Sequence, residues 1–164
     1  MRDIENVIAS ADWKMGGFVE LKHGVTAMRE YDGVALFSQR NVKPFDGEIP
    51  ITLGANFIDG IAVDIKKSER APKSVKGGAV DFEKLDGATL RFRRDGDIFK
   101  AFGSGGTKKL KEYFIDKKIP LRLRDRIPLI CRGNEVLVIV GYEISDSVKQ
   151  TETTTDKCVI KVRY

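Results

Sequence analysis

The sequence predicts an α+β fold that is rich in short antiparallel strands and hairpins, with a few short helices. Three observations lead there. Asp-Gly recurs at Asp32-Gly33, Asp46-Gly47, Asp59-Gly60, Asp86-Gly87 and Asp95-Gly96, and this dipeptide suits tight turns because both of its residues reach positive φ. Apolar runs between these turns are short, which argues against a parallel sheet alternating with long helices. Hydrophobic residues make up 41% of the 164 positions and charged residues 32%, a composition that supports a packed core rather than disorder.

Ile4, Val7 and Ile8 fall at helical spacing, so the spacing predicts a short helix over Ile4–Ala11. After Gly16-Gly17 the pattern turns to strands. Val25, Ala27, Val34 and Leu36 lie in two runs joined by Tyr31-Asp32-Gly33, and Gly133-Asn134 joins Pro128–Cys131 to Val136–Val140. Ala71–Gly78 is poor in apolar residues and holds Pro and Gly together, which places a boundary there. The expected division is residues 1–78 as a β-rich connecting or docking segment and 79–164 as a second domain. Ser145–Asp156 reads as a loop before a last strand over Cys158–Tyr164.

Several function classes find no support. Cys131 and Cys158 lie in apolar segments with 26 residues between them, a spacing that fits buried free thiols rather than a metal site. His23 is the sole histidine and sits before Gly24 in a turn. No catalytic residue and no metal ligand is assigned. No apolar run approaches the ~20 residues of a membrane-spanning helix, and the first residues lack the order of a signal peptide. The expected location is cytoplasmic, with no membrane partner.

Charge is distributed unevenly. Between Leu90 and Arg126 there are 12 Lys and Arg against 5 acids, whereas the rest of the chain is slightly acidic, for a net +5 overall. A polyanion-binding face requires such a concentration. In Leu90-Arg91-Phe92-Arg93-Arg94 alternation would turn Leu90 and Phe92 inward and present Arg91 and Arg93 together on the other face. Gly103-Ser104-Gly105-Gly106-Thr107-Lys108-Lys109 follows. It is not a Walker A loop, because Thr107 stands where that motif needs Lys. It also fails the Ser-Gly-Gly-x-Asp-Ser pattern of ATP pyrophosphatases, since Lys108-Lys109 replace Asp-Ser. The expected arrangement is a loop with Thr107 capping a helix that runs to about Lys117. Leu110, Tyr113 and Phe114 would face the core, with Lys108, Lys109 and Lys111 around a phosphate-binding first turn. Leu121–Pro128 adds Arg122, Arg124 and Arg126 on either an extended segment or a helical turn begun by Pro120.

Taken in order, Leu90-Arg91-Phe92-Arg93-Arg94-x-Gly96-Asp97, Gly106-Thr107-Lys108-Lys109-Leu110-Lys111-x-x-Phe114-Ile115-Asp116-Lys117-Lys118-Ile119-Pro120 and Arg124-Asp125-Arg126-Ile127-Pro128 closely resemble the C-terminal domain of the tRNA(Ile)-lysidine synthase family. Upstream, Phe18-Val19-Glu20-Leu21-Lys22-x-Gly24, Arg29-Glu30-Tyr31 and Ala79–Leu85 look like the family's preceding region. The family often carries Pro at positions 95 and 101 and Arg at 98 and 121, where this chain has Asp95, Ala101, Ile98 and Leu121. The resemblance implies a bacterial tRNA-modifying ligase that uses ATP, with Mg expected, to join lysine to the wobble cytidine of tRNA(Ile) with a CAU anticodon. It also implies that the chemistry resides in an N-terminal ATP pyrophosphatase domain of the parent, a partner of this chain. The chain itself would hold tRNA without a cofactor, through Arg91, Arg93, Arg94, Gly105, Gly106, Thr107, Lys108, Lys109, Lys111, Lys117, Lys118, Arg122, Arg124 and Arg126. The competing expectation is a protein-interaction module that forms a homodimer or docks the catalytic domain, with an incidental basic face.

Overall fold

The computed structural model describes residues 5, 7, 9, 12–38, 45–69 and 79–163. It is β-rich, with two short α-helices among those residues besides the helical positions near the N-terminus, the α+β class that the turn pattern predicts. Of the expected N-terminal helix only Glu5, Val7 and Ala9 are described, and they are helical; the expected boundary at Ala71–Gly78 lies outside the described residues. The chain forms two compact units, Met1–Lys43 with Lys118–Leu123, and Pro44–Lys117 with Arg124–Tyr164.

In the first unit, β1 (Phe18–Glu20), β2 (Val25–Glu30) and β3 (Gly33–Ser38) make an antiparallel sheet in that order. The predicted hairpin between β2 and β3 forms, but Tyr31-Asp32 make its turn and Gly33 already pairs with Glu30 in the strand, so neither Asp32 nor Gly33 takes the positive φ expected of an Asp-Gly turn. His23 is exposed in a 3-10 turn at φ 61°. A Cβ on Gly16, whose φ is 82°, would lie 2.9 Å from Leu121 Cδ2, so a side chain is excluded there by both backbone and space.

The second unit contains two sheets. Its strands are β4 (Ile49–Pro50), β5 (Gly54–Ile58), β6 (Ile61–Lys67), β7 (Ala79–Asp81), β8 (Thr89–Arg91), β9 (Ile98–Phe99), β10 (Lys108–Lys109), β11 (Leu129–Arg132), β12 (Glu135–Ile139), β13 (Glu143–Ile144) and β14 (Lys157–Arg163). One sheet runs β10-β9-β12-β11-β8-β4, with β13 also pairing β12; the other runs β5-β6-β14-β7. The pairing is antiparallel except between β9 and β12, which are parallel. Asp59 and Gly60, at φ 46° and 80°, form the hairpin turn between β5 and β6, and Gly133 at φ 57° opens the turn between β11 and β12. Asp95-Gly96 also turns the chain, but β8 and β9 are separated in the sheet by β11 and β12, so it closes no hairpin.

The core draws on both sheets: Val63, Ile65, Val80, Cys158 and Ile160 from one, and Leu90, Ile130, Leu137 and Val138 from the other. Every residue from Val136 to Ile139 is buried, which accounts for the unbroken apolar run in a strand covered on both faces. Cys131 and Cys158 are buried free thiols, as their context suggests. Loss of hydration pushes the Cys131 thiol up to about 12. The Ser145–Asp156 segment is more ordered than a plain loop: Asp146–Val148 form a 3-10 turn, and Val148 and Thr154 are buried. No helix among the described residues is long and apolar enough to cross a membrane.

Candidate nucleic-acid interface

The basic window is built around a buried ion pair. β8 lies between β11 and β4, and Leu90, Arg91 and Phe92 are all buried. Arg91 therefore does not share a solvated face with Arg93, contrary to the alternation expected from the sequence. Its guanidinium donates through Nη1 and Nη2 to the two carboxylate oxygens of Asp97, at 2.9 and 2.7 Å, and to the backbone carbonyls of Phe92 and Gly133, both at 2.8 Å. Desolvation is the largest single influence and pulls its pKa down, but the Asp97 carboxylate, together with Cys131 and Glu48, holds it above the ordinary arginine value. The Arg94 backbone N–H also donates to Asp97 at 2.8 Å. Arg91 and Asp97 thus fix the Arg93–Gly96 turn from beneath.

Arg93 and Arg94 reach the surface on this turn. Arg93 Nε pairs with Asp125, and Arg94 pairs with Glu48 while donating to the Asp46 carbonyl at 2.7 Å. The Arg94 contact holds the Glu48 carboxyl below its usual range, with help from the Thr89 hydroxyl.

The glycine-rich segment is the connection of the β9–β10 hairpin, in which Phe99 pairs with Lys108 and Ile98 with Lys109. Gly103 and Gly105 occupy φ of 68° and 67°. Ser104 Oγ donates within the loop, to the carbonyls of Ala101 at 2.8 Å and Gly106 at 2.9 Å. Two backbone amides face carboxylates: Phe102 N–H donates to Glu143 Oε1 at 3.2 Å and Gly103 N–H to Asp146 Oδ1 at 3.4 Å. Both amides are thereby engaged and are not free to cradle a phosphate. No group of three or more His, Cys, Asp or Glu among the described residues could hold a metal ion.

The following helix, α1, spans Leu110–Asp116 and buries Leu110, Tyr113 and Phe114, the face its spacing predicts. Its start differs from expectation. Lys109 is the N-cap, no side chain caps the helix, and Thr107 stays exposed upstream because Lys108 and Lys109 are drawn into β10. The Leu110 amide donates to the Asp97 carbonyl at 2.8 Å. Lys108 turns toward Asp116 at the far end of the helix, 2.8 Å away, instead of joining Lys109 and Lys111 around its first turn. Tyr113 packs edge-on against Phe99, with centroids 4.8 Å apart, and donates its hydroxyl to Glu143 at 2.7 Å. Burial and that carboxylate raise its pKa well above the phenol value. Lys117 reaches the same carboxylate at 3.2 Å.

The Arg122–Arg126 stretch begins as a helical turn, α2 (Leu121–Arg124), which settles the alternative left open by the sequence. Arg124 is buried and Arg126 exposed. Lys118 and Arg122 belong to the first unit. There Arg122 Nε meets Glu30 at 2.8 Å and its guanidinium lies 5.6 Å from the Phe37 centroid, while Lys118 is exposed at φ 52°.

The twelve cations are therefore unequal. Among the described residues at least seven are paired with acids, and four of those acids, Glu30, Glu48, Glu143 and Asp146, come from outside the basic window. The side chains of Lys109, Lys111 and Arg126 in the second unit are exposed and make no ion pair among the described residues. Exposed pairs such as Lys108–Asp116 are screened by solvent, contribute little, and exchange readily for a phosphate. The buried Arg91–Asp97 pair does not.

Comparison with known proteins agrees with this architecture. Residues 88–161 match the family described as the TilS substrate C-terminal domain. The tRNA(Ile)-lysidine synthase of Clostridium tetani is 35% identical over 97% of this chain and 36% of its own length, and that of Caldanaerobacter subterraneus is 31% identical over 96% and 36%. The enzyme of Clostridium acetobutylicum is 46% identical over 45% of this chain and 16% of its own. The chain thus spans little more than a third of the length of the first two relatives. A solved structure described as the crystal structure of the TILS C-terminal domain matches with a TM-score of 0.51 and 21% identity, covering 93% of each chain, a likeness of fold. The chain belongs to the tRNA(Ile)-lysidine synthase family and corresponds to its C-terminal region.

Proposed function

We propose that this chain is the non-catalytic, tRNA-binding portion of an ATP-dependent tRNA(Ile)-lysidine synthase. In this reading residues 79–164 grip the tRNA body and residues 1–78 connect or dock. The parent's N-terminal ATP pyrophosphatase domain, in the cytoplasm, supplies ATP, Mg and lysine chemistry at the wobble cytidine of the CAU anticodon. The observation that carries it is the set of exposed cations on and around β10 and α1. Lys109, Lys111 and Arg126 present their charges to solvent, and Arg93, Arg94, Lys108 and Lys117 hold surface pairs that a phosphate can replace. Duplex RNA offers phosphates and 2′-hydroxyls on a shape that such groups bind without reading many bases. Arg91 and Arg124 serve this face from inside the fold, since both are buried.

Filter binding of tRNA to the chain over a salt series tests the reading. The affinity is expected to fall with a slope of roughly 0.9 log units per tenfold salt for each phosphate engaged. A slope near zero would contradict it. Reversal of Lys109 and Lys111 to Glu separates tRNA binding from the interaction-module reading, because it should abolish tRNA binding and leave any homodimer intact.

A further inference from the structure

Phe102 stands out among the exposed apolar residues. Its side chain is 59% exposed at the start of the β9–β10 connection, where Gly103 turns the chain at positive φ. Lys149 Nζ lies over its ring, 5.8 Å from the centroid. Phe18, Phe45 and Phe57 are also exposed, but no cation lies over their rings among the described residues. The position is fixed from below: the Phe102 amide is tied to Glu143, and Ala101 bridges to Ser145.

The charges beside the ring are also fixed. Lys149 and Lys100 share the Asp146 carboxylate, at 2.9 and 3.6 Å, and Lys117 pairs with the Glu143 carboxylate that holds the Phe102 amide, so three ammonium groups stand against two carboxylates around the ring. A flat apolar surface with adjacent ammonium groups matches the chemistry of an unpaired nucleotide, whose base stacks while its phosphates take the cations. A base inside a duplex is stacked on both sides and offers no free face to such a ring. The geometry points to Phe102 as a stacking platform for an unpaired RNA base, flanked by Lys100 and Lys149 for the neighbouring phosphates. This role rests on the RNA-binding reading and adds to it a preference for a single-stranded end or loop beside a duplex.

Fluorescence anisotropy of the full 164-residue chain with two RNAs tests it: a short blunt duplex, and the same duplex carrying unpaired adenosines at one 3′ end. The overhang is expected to tighten binding by roughly fivefold or more. Phe102→Leu should lose that gain and Phe102→Tyr should keep it, with blunt-duplex affinity unchanged in both. A gain that survives Phe102→Leu, or no gain in the parent chain, overturns the stacking role while salt-dependent duplex binding leaves the RNA-binding reading standing. Failure to bind either RNA overturns both. Because Phe102 is exposed, both variants should retain the parent's circular dichroism spectrum and melting temperature.

Discussion

Removing the Asp97 carboxylate should be among the most damaging single changes in the second unit. Asp97 and Arg91 each have side chains only 2% exposed. Asp97→Ala leaves the Arg91 guanidinium with only the Phe92 and Gly133 carbonyls as acceptors, and strips the Arg94 amide of its partner. Breaking a buried ion pair from one side costs about 3–5 kcal/mol, because the surviving charge stays desolvated. With urea m-values of about 1–3 kcal/mol/M, the unfolding midpoint followed by far-ultraviolet circular dichroism should drop by at least ~1 M. Arg91→Lys discriminates further. It keeps the charge but loses the planar fork that makes four bonds, so it should also destabilise, by about 1–3 kcal/mol. If Arg91 instead contacted RNA directly, Arg91→Lys would leave stability unchanged and alter the salt slope of binding. A loss below about 1 kcal/mol for Asp97→Ala would refute the buried-anchor account.

Cys131 and Cys158 should resist alkylation at pH 8 in the native chain and react fully in denaturant. With the Cys131 thiol pushed up to about 12, roughly one molecule in ten thousand carries the thiolate at that pH; rapid native labelling would contradict the burial. Glu143→Gln removes an anion that Lys117 and Tyr113 share, so tRNA should bind about two- to threefold more tightly, with a modest loss of stability from the weakened Tyr113 contact; weaker binding would show that Glu143 holds the face in shape rather than opposing RNA. The carboxyls of Glu48 and Asp146 are held below their usual values by Arg94 and Lys149. Their stabilising contribution is therefore present above the ordinary carboxyl range near about 4 and is lost as pH falls through the lowered values. Hydrogen exchange at the Gly103 amide should become faster, relative to an unstructured reference, below that range and be insensitive to pH between 6 and 8.

Much of the fold follows from local chemistry. The Tyr31-Asp32, Asp59-Gly60 and Gly133-Asn134 turns, the apolar β12 strand and the buried face of α1 all answer to residues within a few positions of one another. What local pattern could not show is where distant acids lie. Arg91 alternates like a surface residue, yet it is buried, with its guanidinium held by the Phe92 and Gly133 carbonyls, and Asp97 becomes its partner only once the turn between them closes. Glu48 and Glu143 neutralise Arg94 and Lys117 from 46 and 26 positions away. Gly105 and Gly106 read as RNA contacts from the sequence for the same reason, since Glu143 and Asp146 take the Phe102 and Gly103 amides of that loop from 41 and 43 positions away. Thr107 had the chemistry of a cap, but pairing of Lys108-Lys109 with β9 moved the helix start to Leu110. The prominence of Phe102 came from a lysine 47 residues downstream.

The central claim, that the exposed cations of the second unit grip tRNA through its phosphates, is tested most directly by comparing salt slopes of tRNA binding for the chain and for a Lys109→Ala, Lys111→Ala, Arg126→Ala variant. Loss of three phosphate contacts should make the slope shallower by roughly 2–3 log units per tenfold salt, with affinity reduced across tRNA sequences. An unchanged slope and affinity in a variant that keeps its fold would contradict the account.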